Sequence, residues 1–405
     1  MRALLRSADF TKLWTASTVS NIGDGVTMVA GPLLVASLTT DPAAVAGAVF
    51  AQQLPWLLFA LVSGAWSDRL DRRRLVVTVN LVRGAAIAVL AAAIATGTVS
   101  VPMIYLIFFV LGTGETLADT AAAAFVPAIV PQESLPTANA LLGGTFTVLN
   151  QFAAKPLGAW LFVAGAALPF GVNAASFVLS AALISGIRSV PPPAVRPRTS
   201  LRAEIAEGVR WLWGHHLLRT LAVTMAFGNL VFCAAFAIFV LYSYTRLGLS
   251  SFGFGVLLTA FAVGGLAGLL VAPRLLRVVG ATVLLRTGLL IEVALHATLA
   301  ATRVPVVAGV LIVIFGIHTV VWGVVVTTIR QRTVPAVMFG RVTSVYSLLD
   351  LGGAALGSLL GGLVAQAYGV VATFWTAAAA MLLTAIVAWR PLAGATPVFH
   401  SAVRP

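Results

Sequence analysis

Apolar runs of about twenty residues, broken by short polar stretches, recur along this 405-residue chain. About 20 residues in helical form cross the hydrocarbon of a bilayer. A helix in lipid satisfies its own backbone groups, so the pattern predicts spanning helices rather than strands. The runs lie at 13–37, 43–66, 75–97, 102–130, 137–163, 167–187, 217–243, 251–272, 281–301, 305–331, 341–365 and 369–389. They predict an all-α polytopic membrane protein with twelve transmembrane helices.

The longest polar stretch, 188–216, divides the twelve into two sets. It opens Arg188-Ser189-Val190-Pro191-Pro192-Pro193, a sequence that cannot continue a helix. Leu201, Ile205, Val209 and Leu212 then recur at helical spacing opposite Arg202, Glu204 and Glu207. That pattern predicts an amphipathic helix on the inner membrane surface. The halves also echo each other. A constant separation of 204 residues relates Gly64 to Gly268, Gly84 to Gly288, Gly112 to Gly316, Pro131 to Pro335 and Gly158 to Gly362. An offset kept over five helices points to a duplicated unit and to two pseudo-symmetric six-helix bundles. The expected parts are residues 1–187, a cytoplasmic linker 188–216, and 217–405 with a short C-terminal tail.

Composition agrees: 60% of residues are hydrophobic, 9% are charged and the mean hydropathy is +1.02, where a soluble domain carries roughly 25% charged residues. The formal charge of +13 raises the question of nucleic acid, but the basic residues sit in short clusters between apolar runs and form no basic domain. They read instead as topology determinants. With both termini in the cytoplasm, 22 of the 25 lysines and arginines fall inside, the five from Arg69 to Arg83 among them. Arg246 and Arg303 fall in outer loops and Lys155 within a span. Cys233 is the one cysteine, which excludes an internal disulfide and a cysteine metal cluster. No small-residue cleavage site follows a short apolar core, so no signal peptide is expected.

The sharpest local signal is at residues 54–76, LPWLLFALVSGAWSDRLDRRRLV. Gly64 allows two helices to approach closely, and Asp68, Arg69, Asp71, Arg72, Arg73 and Arg74 crowd a very short loop. The spacing Gly64-x-x-x-Asp68-Arg69-x-x-Arg72-Arg73 resembles the loop 2–3 motif of the major facilitator superfamily. The wider run AQQLPWLLFALVSGAWSDRLDRRRLV is similar to the drug-efflux branch that holds the macrolide and siderophore exporters. Asp71 stands where that motif usually has glycine. The resemblance implies that Gly64, Asp68, Arg69, Arg72 and Arg73 form a conformational gate between bundles, with Asp350 beneath it.

Ionisable side chains within spans are costly and point to function. Asp24 lies mid-span beside Asn21 in SNIGDGVTMVAGP. Glu115 and Asp119, four residues apart, share one helix face. Glu115 and Lys155 lie roughly 24 Å and 27 Å above the inner ends of their helices, so a Glu115–Lys155 pair is feasible. Glu292 and His296, also four apart, read as a satisfied pair on a peripheral helix. His318 sits at mid-depth of its span, and Trp322 and Phe232 are candidates for apolar substrate contact. The run LGTGETLADTAAAAFVPAIVPQESLPTANALL again resembles the macrolide-efflux branch, whose acidic positions fall on Glu115 and Asp119. Lys155 stands where the antiporter motif has glycine before proline.

Together these features imply a secondary active transporter exporting amphipathic small molecules, drugs or natural products, by proton antiport and alternating access. Asp24, Glu115, Asp119, Lys155, His318, Asn21 and Trp322 are its expected proton-coupling and substrate-cavity residues. The expected setting is the inner, cytoplasmic membrane, as a monomer with no cofactor, metal or nucleic acid. A carrier of siderophores or lipid-like molecules, or a non-transporting receptor on the same fold, is the alternative. An enzyme is disfavoured, since the chain has neither a nucleophile elbow nor an HExxH zinc motif.

Overall fold

In hydrocarbon a backbone N–H or C=O finds no water, so each apolar run closes its hydrogen bonds within itself. The computed structural model describes Leu4 and residues 7–67, 71–187 and 201–395; among these every regular element is helical. Eleven described helices are long and apolar enough to cross a membrane. The expected span at 137–163 is not one unbroken α-helix. It consists of Leu135–Thr145, a π-helical stretch Phe146–Ala154, and Lys155–Ala164.

The chain divides into two compact units, Met1–Val195 with Leu249–Thr259, and Arg196–Gly248 with Ala260–Pro405. The first holds α1 (Ala8–Leu38), α2 (Pro42–Ser67), α3 (Arg72–Ala95), α4 (Val101–Ile129), α5 (Leu135–Thr145), the π-helix, α6 (Lys155–Ala164) and α7 (Leu168–Ser185). There α1 and α3 both pack along α7, and α2 packs along α4. Lipid offers no hydrophobic drive between helices, so close backbone approach at small residues holds them together. A Cβ at Gly158 would run into the Val26 carbonyl, one at Gly25 into the Asn150 carbonyl, and one at Gly112 into the Gln52 carbonyl.

The second unit starts with α8 (Leu201–Gly214), the linker helix, followed by α9 (His216–Ala237) and α10 (Phe239–Thr245). After α11 (Ser251–Val278), whose residues from Ala260 onward belong to this unit, come α12 (Ala281–Ala301), α13 (Pro305–Thr333), α14 (Ala336–Tyr368) and α15 (Val370–Ala388). Here α9 and α12 both pack along α15. Gly353, Gly357 and Gly361, spaced four apart on α14, lie against the carbonyls of Ala226, Leu230 and Ala234 on α9. Gly316 lies against the Phe261 carbonyl, as its sequence partner Gly112 does against Gln52.

Polar side chains fasten helix ends and neighbours. The hydroxyls of Tyr105, Tyr242 and Tyr346 donate to the carbonyls of Ala44, Leu299 and Leu218 on adjacent helices. Arg246 donates to the last carbonyls of α12, and Arg286 to that of Trp389 at the end of α15, where cations suit the helix dipole. Gly369, at φ 87°, makes the sharp turn from α14 to α15 in a conformation that only glycine adopts easily.

The amphipathic segment is helical as expected, but it does more than rest on lipid. It leans on α14, where Gly208 meets the Arg341 backbone and Glu207 accepts from Arg341 at 2.6 Å. Leu212 is buried in the core of the second unit, while Val209 and Trp213 stay exposed.

Candidate functional site

Two polar sites lie inside apolar helices, one in each unit. In the first unit Asp24 sits on α1 between Gly23 and Gly25, so no side chain beside it keeps neighbouring helices away. Gly23 faces Asn173 and Ser176 of α7, and Gly25 faces the π-helix. Across from Asp24 stands Arg83 of α3, only 3% exposed, whose Nη2 donates to Asp24 Oδ1 at 2.8 Å. The same nitrogen lies 3.9 Å from Glu115 Oε2 on α4, and the guanidinium stacks 4.1 Å over the Phe177 ring. A guanidinium suits this position because it is always charged, planar and weakly hydrated.

Around this centre the amides form further bonds. Asn173 donates to Thr27 and accepts from Ser176. Asp119, one turn beyond Glu115, is exposed. The side chain of Asn21 turns away from Asp24 and donates to Ser17.

Arg83 corrects two expectations. The sequence grouped it with the cytoplasmic loop arginines, because it follows Arg72, Arg73 and Arg74 closely. Helix α3 begins at Arg72, however, so Arg83 lies about three turns inside the span. The cation beside Glu115 is therefore Arg83, and Lys155 donates instead to Gln151 at 2.8 Å. Gln151 donates to Asn150, which donates to the Asn21 carbonyl, so a polar chain ties Lys155 to α1. Pro156 has no N–H to return to the preceding turn, and the π-helical register of Phe146–Ala154 ends just before it.

The second site is a cavity of about 220 Å³ in the second unit. Its lining includes His318 and Trp322, and also Asp350, Glu292, Asn229 and Phe232. Glu292 is therefore a wall of a cavity and not merely a peripheral pair. His318 Nε2 meets Glu292 Oε1 at 3.2 Å. His296 Nδ1 faces the Glu292 backbone carbonyl at 2.8 Å, and since a carbonyl only accepts, Nδ1 carries the hydrogen. The other carboxylate oxygen of Glu292, Oε2, is buried and has no hydrogen-bond partner among the described residues. Asn229 donates to the Asp350 carbonyl. Gly288 makes room for this arrangement: a Cβ there would come within 2.6 Å of His318 Cε1 and 2.9 Å of Trp322.

Of the expected gate, Asp68 and Arg69 lie outside the described residues. Gly64 falls near the end of α2, and Arg72 and Arg73 open α3. Asp71, where the motif usually has glycine, is the N-cap of α3 and accepts from the Arg74 N–H at 3.0 Å. Asp350, expected beneath the gate, is one of the residues that line the cavity.

Over residues 2–396 the chain matches a major facilitator family described as "Transmembrane secretion effector". It is 27% identical to the multidrug efflux pump Tap of Mycolicibacterium fortuitum over 387 residues, covering 92% of this chain and 93% of the pump. It is 26% identical to the enterobactin exporter EntS of Citrobacter koseri over 366 residues, covering 88% and 85%. Among solved structures it resembles a bacterial homologue of the iron transporter ferroportin in an inward-facing state, at a TM-score of 0.75 and 19% identity, covering 96% of this chain and 99% of that one. It also resembles the nucleoside transporter NupG, at 0.69 and 12%, covering 93% and 97%. Those two likenesses show the fold alone.

Proposed function

The chain belongs to the major facilitator superfamily, in the family of transmembrane secretion effectors, and from that premise we propose that it exports an amphipathic small molecule by proton antiport. It is a multi-pass membrane transporter and not an enzyme. The proposed cargo is a drug-like compound or a siderophore, the two classes named for Tap and EntS. Residues 1–187 and 217–405 act as two six-helix bundles in alternating access, with 188–216 as the linker. The chain works as a monomer in the cytoplasmic membrane with both termini inside.

The observation that carries this reading is the Arg83 centre. One buried guanidinium holds Asp24 at 2.8 Å and stands 3.9 Å from Glu115. Only the first distance is a hydrogen bond. Asp24 is thus the anchored partner, and Glu115, with its side chain 25% exposed, is the partner free to trade its charge for a proton. Protonating Glu115 leaves the Arg83–Asp24 pair intact and neutral, so the cost of an unpaired buried charge is avoided. Asp119, one turn away and exposed, is placed to relay protons to it. Lys155, through Gln151 and Asn150, holds the π-helical turn against α1.

Proteoliposomes with an imposed pH gradient test this, using radiolabelled macrolides and catecholate siderophores. Glu115→Gln is expected to abolish gradient-driven uptake while keeping substrate exchange at equilibrium, because the variant resembles the protonated state. Asp24→Asn is expected to lose both. Wild-type transport that persists unchanged when the gradient is collapsed would overturn proton coupling.

A further inference from the structure

The cavity of the second unit differs chemically from the Arg83 centre. Among the described residues its lining holds two carboxylates, Glu292 and Asp350, and no lysine or arginine. Arg330, whose field reaches Asp350, stacks over Tyr346 at 5.1 Å and is not part of the wall. Glu292 is 9% exposed, and its Oε2 makes no hydrogen bond to any described residue. His296 Nδ1 lies 3.6 Å from that oxygen and already faces the Glu292 carbonyl at 2.8 Å. An oxygen buried in this way costs free energy unless a donor reaches it.

The rest of the wall indicates which cation suits those two carboxylates. Phe232 and Phe315 lie 5.5 Å apart, and Phe315 stacks with His318 at 6.3 Å. Trp322 meets His318 edge-on at 5.9 Å, and Met225 and Met381 complete the lining. Aromatic faces attract cations, and methionine adapts to irregular apolar shapes. An apolar cavity of about 150 Å³ accepts benzene, so about 220 Å³ has room for a two-ring group.

We propose that this cavity binds a protonated aromatic amine of one or two rings, or that part of a larger substrate, with its N–H⁺ paired with the Glu292 carboxylate and Asp350 as second counter-charge. Such a charge-assisted pair compensates the buried negative charge. The proposal deepens the export reading by naming a substrate class, and it rests on that reading only for its physiological meaning.

The test is binding to the detergent-purified full chain without any gradient. The probes are N-methyl(naphthylmethyl)amine, a cation at neutral pH, and methoxymethylnaphthalene, its uncharged isostere, each titrated by naphthalene fluorescence. The wild type is expected to prefer the amine by about tenfold, the value of one hydrogen bond to a charged group. Glu292→Gln should bring that preference to within about twofold, and Asp350→Asn should reduce it about threefold. Equal binding of both probes by the wild type overturns the proposal, as does a preference that survives Glu292→Gln. The wild-type comparison needs no variant, so it decides the matter even where a mutant misfolds. An amine preference in a chain that transports nothing overturns export and leaves the site standing. Gradient-driven transport without an amine preference does the reverse.

Discussion

The two buried polar sites handle charge in opposite ways. In the first unit, Arg83 meets Asp24 at 2.8 Å and lies over Phe177, so opposite charges are already joined. In the second, Glu292 pairs with histidines alone among the described residues, and one of its oxygens is unsatisfied. The first is a closed pair that joins helices α1 and α3. The second is an open one, in the way that ligand sites commonly give up stability for function. A closed pair suffers when either partner is removed, whereas an open one loses little or gains.

Arg83→Met breaks the closed pair most severely. It keeps the apolar stem but leaves Asp24, 8% exposed, without its counter-charge. Breaking a buried pair by removing one partner costs about 3–5 kcal/mol. Thermal unfolding in detergent should show a loss of that order. The double variant Arg83→Met/Asp24→Asn should recover most of it, because no charge is then left unpaired. Additive losses in that cycle would mean that Asp24 and Arg83 do not act as a pair.

A smaller effect separates two glycines that the sequence relates by the same 204-residue offset. At Gly84 a Cβ would find Phe177 Cβ at 3.4 Å, an ordinary contact. At Gly288 it would meet His318 at 2.6 Å. Gly84→Ala should therefore stabilise the chain by about 0.5–1 kcal/mol through helix propensity. Gly288→Ala should destabilise it by about 1–3 kcal/mol through overpacking and displace His318 from Glu292. Equal effects on unfolding would show that the two halves use these positions alike.

Much of the fold was legible because a bilayer leaves a chain few choices. Most of the apolar runs became helices near their expected limits, and the Gly112/Gly316 match became two equivalent close approaches to a carbonyl. The sites were legible only where a charge stood in an obviously apolar run, as Asp24 and Glu115 do. Arg83 was missed through its nearness to the loop arginines. Its depth of roughly 16 Å from Arg72, at the helical rise, was the signal available. Glu292 and His318 are 26 residues apart on different helices, and hydropathy carries no information on how two helices are rotated against each other. The π-helical turn before Lys155 was hidden for a similar reason. It packs against α1 at Gly25, a contact that the composition of residues 146–154 does not announce.

The smallest effect tests the open site directly. Glu292→Gln preserves shape and can still accept from His318, but it removes the buried carboxylate whose Oε2 lacks a donor. Relieving a buried charge should about balance the weaker bond to His318 and the amide donors left without an acceptor, for a net change within about 1 kcal/mol of zero. The expected result is an unfolding midpoint close to that of the wild type, measured without ligand. Adding the naphthyl amine should raise the wild type above the variant, since the wild type binds it more tightly and so gains more stability from it. A large loss on Glu292→Gln would instead show that Glu292 is as closed a partner as Asp24, and the contrast between the two units would fail.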